Sequence, residues 1–221
     1  MPLDAVFIDQ LGNFKNLGQA LDRRPAVLMF VDYACRNMCS AIVALTSSAL
    51  TRSGLVPGDD FGLLAIGLAP NLSFDAAREF KDGVIDPSSR LSVATQFLTG
   101  DASAIKNATG AVGYHYSADV ENAQFAHAAA LFVVSGDGKV TRTIAVARLD
   151  GDVLRQALVE AHQGVGESTF RAINLLCYGY APSHGAANSL VWLILKAACA
   201  ATPFFVAAVI FRLAGRRRAG S

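Results

Sequence analysis

Residues 26–31, Ala-Val-Leu-Met-Phe-Val, form a short continuous apolar run directly after Arg24-Pro25. A run of this length without alternation predicts a strand that is buried on both faces of a covered sheet. A second such run, Gly-Leu-Leu-Ala-Ile-Gly-Leu, occupies residues 62–68, and the apolar residues of 37–52 between them have helical spacing. Together the three segments predict a βαβ unit.

Further strand and helix patterns continue along the chain. A hairpin is indicated at 130–134 and 140–146, because the connecting residues 135–139, Ser-Gly-Asp-Gly-Lys, supply the glycines of a tight turn. The other predicted elements are a helix after Ser73, a short strand at 96–99, and helices at 101–109, 152–162 and 168–176. This order predicts an α/β fold with a thioredoxin-like central sheet flanked by helices over residues 1–180.

Composition limits the class of protein. The chain has 221 residues, of which 52% are hydrophobic and 17% are charged, so it is too apolar to be disordered. Five of the 19 basic residues and none of the 18 acidic ones lie from Ser189 onward, so residues 1–188 carry a net charge of −4. An acidic domain without a basic stripe excludes nucleic acid as a partner, because phosphate neutralisation supplies most non-specific affinity.

The C-terminal segment has the pattern of a membrane anchor. Residues 189–213 carry only two charges, Lys196 and Arg212, and a bilayer core needs about 20 apolar residues. The predicted segments are a linker at 181–188, a transmembrane helix at 189–213 and a basic cytoplasmic tail at 214–221. By the positive-inside rule, residues 1–188 then lie on the outer side of the membrane. No export signal follows Met1, so either the true start lies upstream, which we expect, or the domain is cytoplasmic and the arginines do not report its orientation.

Two cysteines follow the first predicted strand, in the stretch Asp32-Tyr33-Ala34-Cys35-Arg36-Asn37-Met38-Cys39-Ser40. If the second half of this stretch opens the helix, the spacing of four places both sulfurs on one face of its first turn. A helix N-terminus favours the thiolate and the Cα separation suits a disulfide, so the pair can do redox chemistry or hold a soft metal. Two thiolates leave a metal shell incomplete, and a third ligand must come from elsewhere.

Four histidines are candidates for the third ligand. His127 lies immediately before the first hairpin strand, where it can face the cysteines, whereas His115 is expected within a short strand, pointing to a face of the sheet. His162 ends a predicted helix, where it can interact with the helix dipole, and His184 lies in the loop before the anchor. Side chains interpreted as structural are Tyr33, Cys177 and Cys199.

The CxxxC after the first core strand and the histidine before the late hairpin resemble the SCO/SenC family of thioredoxin-like copper chaperones. Cys35, Cys39 and His127 match these positions, and the similarity covers most of residues 3–182. Further matching stretches are 97–101, 158–161 and 175–178, and the last of these look like the bacterial branch that carries a C-terminal membrane anchor. One departure is Arg36, where the family usually has proline: a cation there favours the thiolate, whereas loss of the proline loosens the loop.

The resemblance implies a non-enzymatic metallochaperone that binds one copper ion, Cu(I) or Cu(II), through Cys35, Cys39 and His127. It implies delivery by ligand exchange to the dinuclear copper centre of a cytochrome c oxidase subunit, with a Cys35–Cys39 disulfide switching binding off. The implied location is the bacterial inner membrane, with the domain facing the periplasm and with other copper chaperones or thiol reductants as further partners. On ligand chemistry alone, zinc could also be held.

Other functions stay open at this point. A membrane-anchored thiol-disulfide oxidoreductase acting on cysteines of an oxidase subunit would need Cys35 and Cys39 but not His127. A family member that has lost its site could serve as a membrane-bound scaffold. A peroxidase of the same fold would need a reactive cysteine with an activating Arg and Thr at close spacing, and the sequence shows no such set.

Overall fold

A computed structural model of the chain describes residues 1–35, 38–119 and 124–164, together with residues 196, 200 and 202. All of the strands and helices given below lie in the first of two units into which the chain divides, Met1–Tyr178. The predictions that fall outside the described residues concern Arg36, the helix at 168–176, Cys177, His184, Cys199 and almost all of the span at 189–213. Among the described residues, no helix combines the length and the apolar character needed to cross a bilayer.

The described part of the chain alternates strands with helices. Its strands are β1 (Val6–Asp9), β2 (Phe14–Asn16), β3 (Ala26–Val31), β4 (Gly62–Gly67), β5 (Thr95–Thr99), β6 (Tyr116–Asp119), β7 (Gln124–His127), β8 (Ala130–Val134) and β9 (Val140–Ala145). Its helices are α1 (Leu17–Leu21), α2 (Met38–Arg52), α3 (Phe74–Val84), α4 (Arg90–Val93), α5 (Ala102–Ala111) and α6 (Gly151–His162).

Seven strands form one mixed sheet in the order β2-β1-β5-β4-β3-β8-β9, and β6 and β7 form a separate two-stranded sheet. Strands β3, β4 and β5 are parallel neighbours, and Ala26 lies opposite Gly62. Strand β8 runs antiparallel to both β3 and β9. The predicted βαβ unit and late hairpin are therefore confirmed, and so is the α/β class.

Helices cover both faces of the large sheet, which explains why its central strands are apolar without alternation. The cluster on the side of α2, α3 and α6 includes Val27, Met29, Val43, Leu50, Phe80, Phe97, Leu131 and Leu154. The cluster on the side of α1 and α5 includes Leu17, Leu28, Phe30, Leu64, Ile66, Leu98, Ile105 and Phe132. Successive residues of β3 alternate between the two clusters, as the period of a strand requires.

Where the structure describes the chain, the predicted elements end within a residue or two of the observed ones. Strand β9 stops at Ala145 rather than at 146, because Val146 opens a short 3-10 helix that runs to Arg148. The sequence patterns do not predict the β1–β2 hairpin, helices α1 and α4, or the β6–β7 hairpin. These missed elements are three to five residues long, too short for either period to be distinguished.

Candidate metal centre

The cysteine loop begins where β3 ends, and Asp32 shapes it. The Asp32 carbonyl accepts the Cys35 N–H at 3.1 Å, and its Oδ1 accepts the Ala34 N–H at 3.0 Å. Helix α2 then begins at Met38, so Cys39 lies in its first turn and Cys35 precedes the helix. The prediction that both cysteines share the first turn is therefore wrong, because Asp32 holds Cys35 in a separate turn.

The Cys39 thiol is buried, with 3% of the residue exposed. Burial raises the pKa of Cys39 to about 12; a hydrogen bond from the Asp32 backbone opposes this increase, and the neighbouring Cys35 adds to it. The expectation that the helix N-terminus favours a thiolate here is wrong, because desolvation of the charged form outweighs it. Cys35 is half-buried, and both cysteines are free thiols.

His127, the last residue of β7, meets Cys39 directly. Its Nε2 lies 3.7 Å from Cys39 Sγ, although 88 positions separate the two residues in the sequence. A protonated thiol is a weak hydrogen-bond donor and an unprotonated imidazole nitrogen is an acceptor, so the contact fits an S–H···N bond. The fold thus brings together two of the three residues that the sequence suggests as metal ligands.

The other described histidines lie elsewhere. His115 is exposed and precedes β6, which begins at Tyr116. The expectation that His115 lies within a strand is therefore wrong. His162 is the last residue of α6, at the helix end where a basic side chain interacts favourably with the helix dipole.

The second ring nitrogen of His127 faces Tyr114, a residue that the sequence patterns do not single out. Tyr114 Oη lies 2.7 Å from His127 Nδ1, and the hydroxyl donates to the Ala128 carbonyl at 2.7 Å. The Tyr114 ring stacks on Phe30 with ring centroids 4.8 Å apart. Burial raises the pKa of Tyr114, so the phenol stays protonated and neutral.

The end of helix α5 fixes the position of Tyr114. Gly113 has a φ of +63°, in the left-handed region that favours glycine. The Gly113 N–H returns to the Gly110 carbonyl at 3.1 Å, and the Tyr114 N–H returns to the Thr109 carbonyl at 2.9 Å. This pair of bonds is a Schellman motif, which sets the backbone of the residue after the glycine. The Gly-Tyr pair after a helix is the sequence signal that could have located Tyr114.

Tyr33 adjoins the cysteine loop, but its side chain belongs to the core, as its interpretation as a packing residue predicts. It is 7% exposed, and its hydroxyl lies 3.0 Å from the Ala65 carbonyl and 2.9 Å from the Leu98 carbonyl. The ring lies so close to β4 that a Cβ on Gly67 would stand 2.7 Å from Tyr33 Cε2. Glycine at 67 therefore makes room for the tyrosine.

The donor types at this site fit copper. Among the described residues no group of three or more His, Cys, Asp or Glu side chains is gathered closely enough to hold a metal ion. Cys39 faces His127 and also neighbours Cys35, so binding through all three predicted residues requires these side chains to draw closer together. Two thiolates and an imidazole suit copper and also zinc, while the two thiols alone could form a disulfide.

Comparison with known proteins identifies relatives of this fold. The model of the SCO1/SenC family matches residues 7–162, and no curated protein matches the sequence significantly. A crystal structure from Aquifex aeolicus VF5 has a TM-score of 0.64 at 18% identity, over 73% of this chain and 92% of that one. Copper-bound ScoI from Arabidopsis thaliana has a TM-score of 0.59 at 16% identity, over 72% of this chain and 96% of that one.

A third similar structure is BsSco, described as a member of the Sco family of cytochrome c oxidase assembly proteins with a disulfide switch. It has a TM-score of 0.57 at 17% identity, over 71% of this chain and 90% of that one. The likeness to these structures confirms the predicted thioredoxin-like fold. The family match extends over well more than half of the sequence and includes Cys35, Cys39 and His127, and the chain therefore belongs to the SCO1/SenC family.

Proposed function

We propose that this chain is a metallochaperone that binds one copper ion through Cys35, Cys39 and His127. It delivers the ion to the dinuclear copper centre of a cytochrome c oxidase subunit. The observation that carries the proposal is the 3.7 Å approach of His127 Nε2 to Cys39 Sγ. Membership of the SCO1/SenC family and the likeness to copper-bound ScoI support copper as the cargo.

The cargo enters a site in which the Cys39 thiol is protonated. The raised pKa of Cys39 keeps a proton on its sulfur in the metal-free chain, and that S–H points to His127 Nε2. Copper binds thiolates, so the Cys39 proton leaves to solvent when copper binds, and the sulfurs of Cys35 and Cys39 would share the ion with Nε2. Cys35 is the more exposed of the two residues, so a ligand atom of the protein that receives the copper replaces the Cys35 sulfur first.

The test is an anaerobic Cu(I) titration of the reduced full-length chain, with the variants Cys39→Ser, His127→Ala and His115→Ala. We expect one copper per chain in the wild type, a large loss of affinity in the first two variants and no loss in the third. His115→Ala is the matched control because His115 is exposed and precedes β6. Absence of binding in the wild type, or unchanged binding in His127→Ala, would contradict the proposal.

A thiol-disulfide oxidoreductase is the second candidate, favoured by two free cysteines of unequal exposure next to each other. The Cys35 thiolate would attack a disulfide of the oxidase subunit, forming a mixed disulfide and releasing one client thiolate. Cys39 would then attack the Cys35 sulfur, which leaves a Cys35–Cys39 disulfide and a client with both cysteines reduced. A thiol reductant would restore the pair. His127→Ala leaves this exchange intact but removes copper binding, so the two functions separate.

We also propose that residues 189–213 anchor the chain in a bacterial inner membrane, with residues 1–180 facing the periplasm. The apolar length of the segment and the arginines at 216–218 support this orientation. A membrane-impermeant maleimide is expected to label Cys35 in intact spheroplasts, and Cys35→Ser is expected to reduce the labelling. Labelling of Cys35 only after lysis would contradict the orientation.

A further inference from the structure

Three polar atoms beside the candidate metal centre form a closed triangle. Tyr114 Oη lies 2.7 Å from His127 Nδ1 and 2.7 Å from the Ala128 carbonyl oxygen, and Nδ1 lies 3.2 Å from that same oxygen. The tyrosine ring is held on two sides, stacked on Phe30 and edge-on to Phe132 with centroids 5.8 Å apart. The hydroxyl oxygen therefore has a fixed position relative to the imidazole.

The protons available to this triangle allow one satisfactory arrangement. The carbonyl oxygen can only accept, and the hydroxyl has one proton to donate. If His127 Nδ1 carried no proton, at least one pair of acceptors would face each other at 2.7 Å without a hydrogen between them. If Nδ1 is protonated, it donates to Tyr114 Oη while the Tyr114 hydroxyl donates to Ala128, and both 2.7 Å contacts then contain a proton.

We propose that Tyr114 is a positioning residue that holds His127 as its Nδ1–H tautomer, with Nε2 unprotonated and facing Cys39. The Nδ1 proton follows from the triangle alone, whereas its effect on copper binding rests on the proposed function. A neutral histidine whose Nδ1–H is engaged presents Nε2 as its metal-binding nitrogen. Nε2 is the atom that lies 3.7 Å from Cys39 Sγ.

Tyr114→Phe tests the tautomer directly, because it removes one oxygen and keeps the ring that packs on Phe30. The measurement is long-range 1H–15N NMR correlation of the His127 ring in the reduced, metal-free full-length chain. We expect Nδ1–H in the wild type and a shift of the population towards Nε2–H in Tyr114→Phe. Tyr116→Phe is the matched control, since Tyr116 lies opposite His127 in the β6–β7 register and its ring packs against Phe125.

A double-mutant cycle tests the effect on copper. Loss of a partner of a metal-ligating histidine typically reduces affinity about 10–100-fold, so we expect Tyr114→Phe to weaken Cu(I) binding by about tenfold. In a His127→Ala background the same substitution is expected to change the affinity no further, because the tyrosine acts through the histidine. The nitrogen hyperfine coupling of the Cu(II) form is expected to change in Tyr114→Phe and to stay the same in Tyr116→Phe.

The outcomes distinguish failure of this inference from failure of the proposed function. A wild-type His127 found as Nε2–H, or a tautomer unchanged in Tyr114→Phe, would overturn the inference whether or not copper binds. A tenfold loss that persists in the His127→Ala background would also overturn it, because the tyrosine would then act on the fold. If the wild type binds no copper, the proposed function fails while the NMR result still decides the tautomer.

Discussion

Asp32 Oδ2 accepts the backbone N–H of Phe125 at 3.3 Å, which joins the cysteine loop to strand β7. The other carboxylate oxygen accepts the Ala34 N–H within the loop itself. Phe125 lies two residues before His127, so one carboxylate braces both the turn of Cys35 and the strand of the imidazole. The Asp32 residue is 2% exposed, so its carboxylate is buried while it accepts these two hydrogen bonds.

Asp32→Ala is expected to weaken Cu(I) binding about tenfold although Asp32 is not a proposed ligand, because the two parts of the site lose their connection. The substitution leaves two backbone N–H groups unpaired, and we expect the free energy of unfolding to fall by about 1–3 kcal/mol. Urea unfolding and Cu(I) competition titration measure the two effects. Asp4→Ala, at an exposed carboxylate, is the control; equal copper affinity in the two variants would contradict the prediction.

Cys35 is expected to be alkylated before Cys39 when the reduced, metal-free chain is treated with iodoacetamide near neutral pH. Cys39 is buried and its pKa is raised to about 12, so little thiolate is present and access is poor. Trypsin cleaves after Arg36 and so separates the two cysteines into different peptides, which lets mass spectrometry follow each rate. In denaturant the two rates should converge. Faster modification of Cys39 in the folded chain would show that the thiol is not buried as described.

Copper binding is expected to weaken as the pH falls. Cys39 holds its proton up to a pKa of about 12, so binding must displace that proton at every pH below this value. Mass action then gives about a tenfold loss of affinity per pH unit from this one proton. Cu(I) competition titrations between about pH 6.5 and pH 8.5 check the slope. Cys39→Ser is expected to reduce the slope of copper affinity against pH. An unchanged slope in that variant would show that the displaced proton comes from another group.

Gly67→Ala is expected to destabilise the fold by about 1–3 kcal/mol, the usual cost of overpacking a filled core. The new Cβ would stand 2.7 Å from Tyr33 Cε2, and Tyr33 is held by hydrogen bonds to two carbonyls. Gly83→Ala is the matched control, because no atom lies within 4 Å of a Cβ at this position of helix α3. That control is expected to stabilise the chain by about 0.5–1 kcal/mol through helix propensity. Equal thermal midpoints for the two variants would contradict the prediction.

The central fold could be predicted from sequence because its strands are buried on both faces. The runs at β3 and β4 contain only apolar residues and glycine, and the glycines between β8 and β9 mark a tight turn. Strands β6 and β7 could not be predicted, because each is only four residues long and mixes polar with apolar residues. The position of His127 directly before a hairpin strand predicts that it can face the cysteines, and the family resemblance agrees, but no pattern predicts that His127 ends a strand of its own, β7.

The chemistry of the site was less predictable than its residues. Spacing indicates a helix N-terminus near Cys39, which would lower the pKa of the thiol. It does not indicate how deeply the sulfur is buried, and burial raises that pKa instead. The role of Tyr114 depends on a partner 13 residues away that turns back towards it through the β6–β7 hairpin. Such a contact is absent from any local pattern, although Gly113 marks the backbone that makes it possible.

The His127 imidazole lies on the separate two-stranded sheet and not on the seven-stranded sheet. A ribbon of two short strands has little stability of its own, whereas β3 and β4 lie at the centre of a core covered on both sides. A copper ion bound by both Cys39 and His127 would connect the β6–β7 sheet to helix α2. Copper binding would then slow amide hydrogen exchange in β6 and β7 and leave exchange in the central strands unchanged.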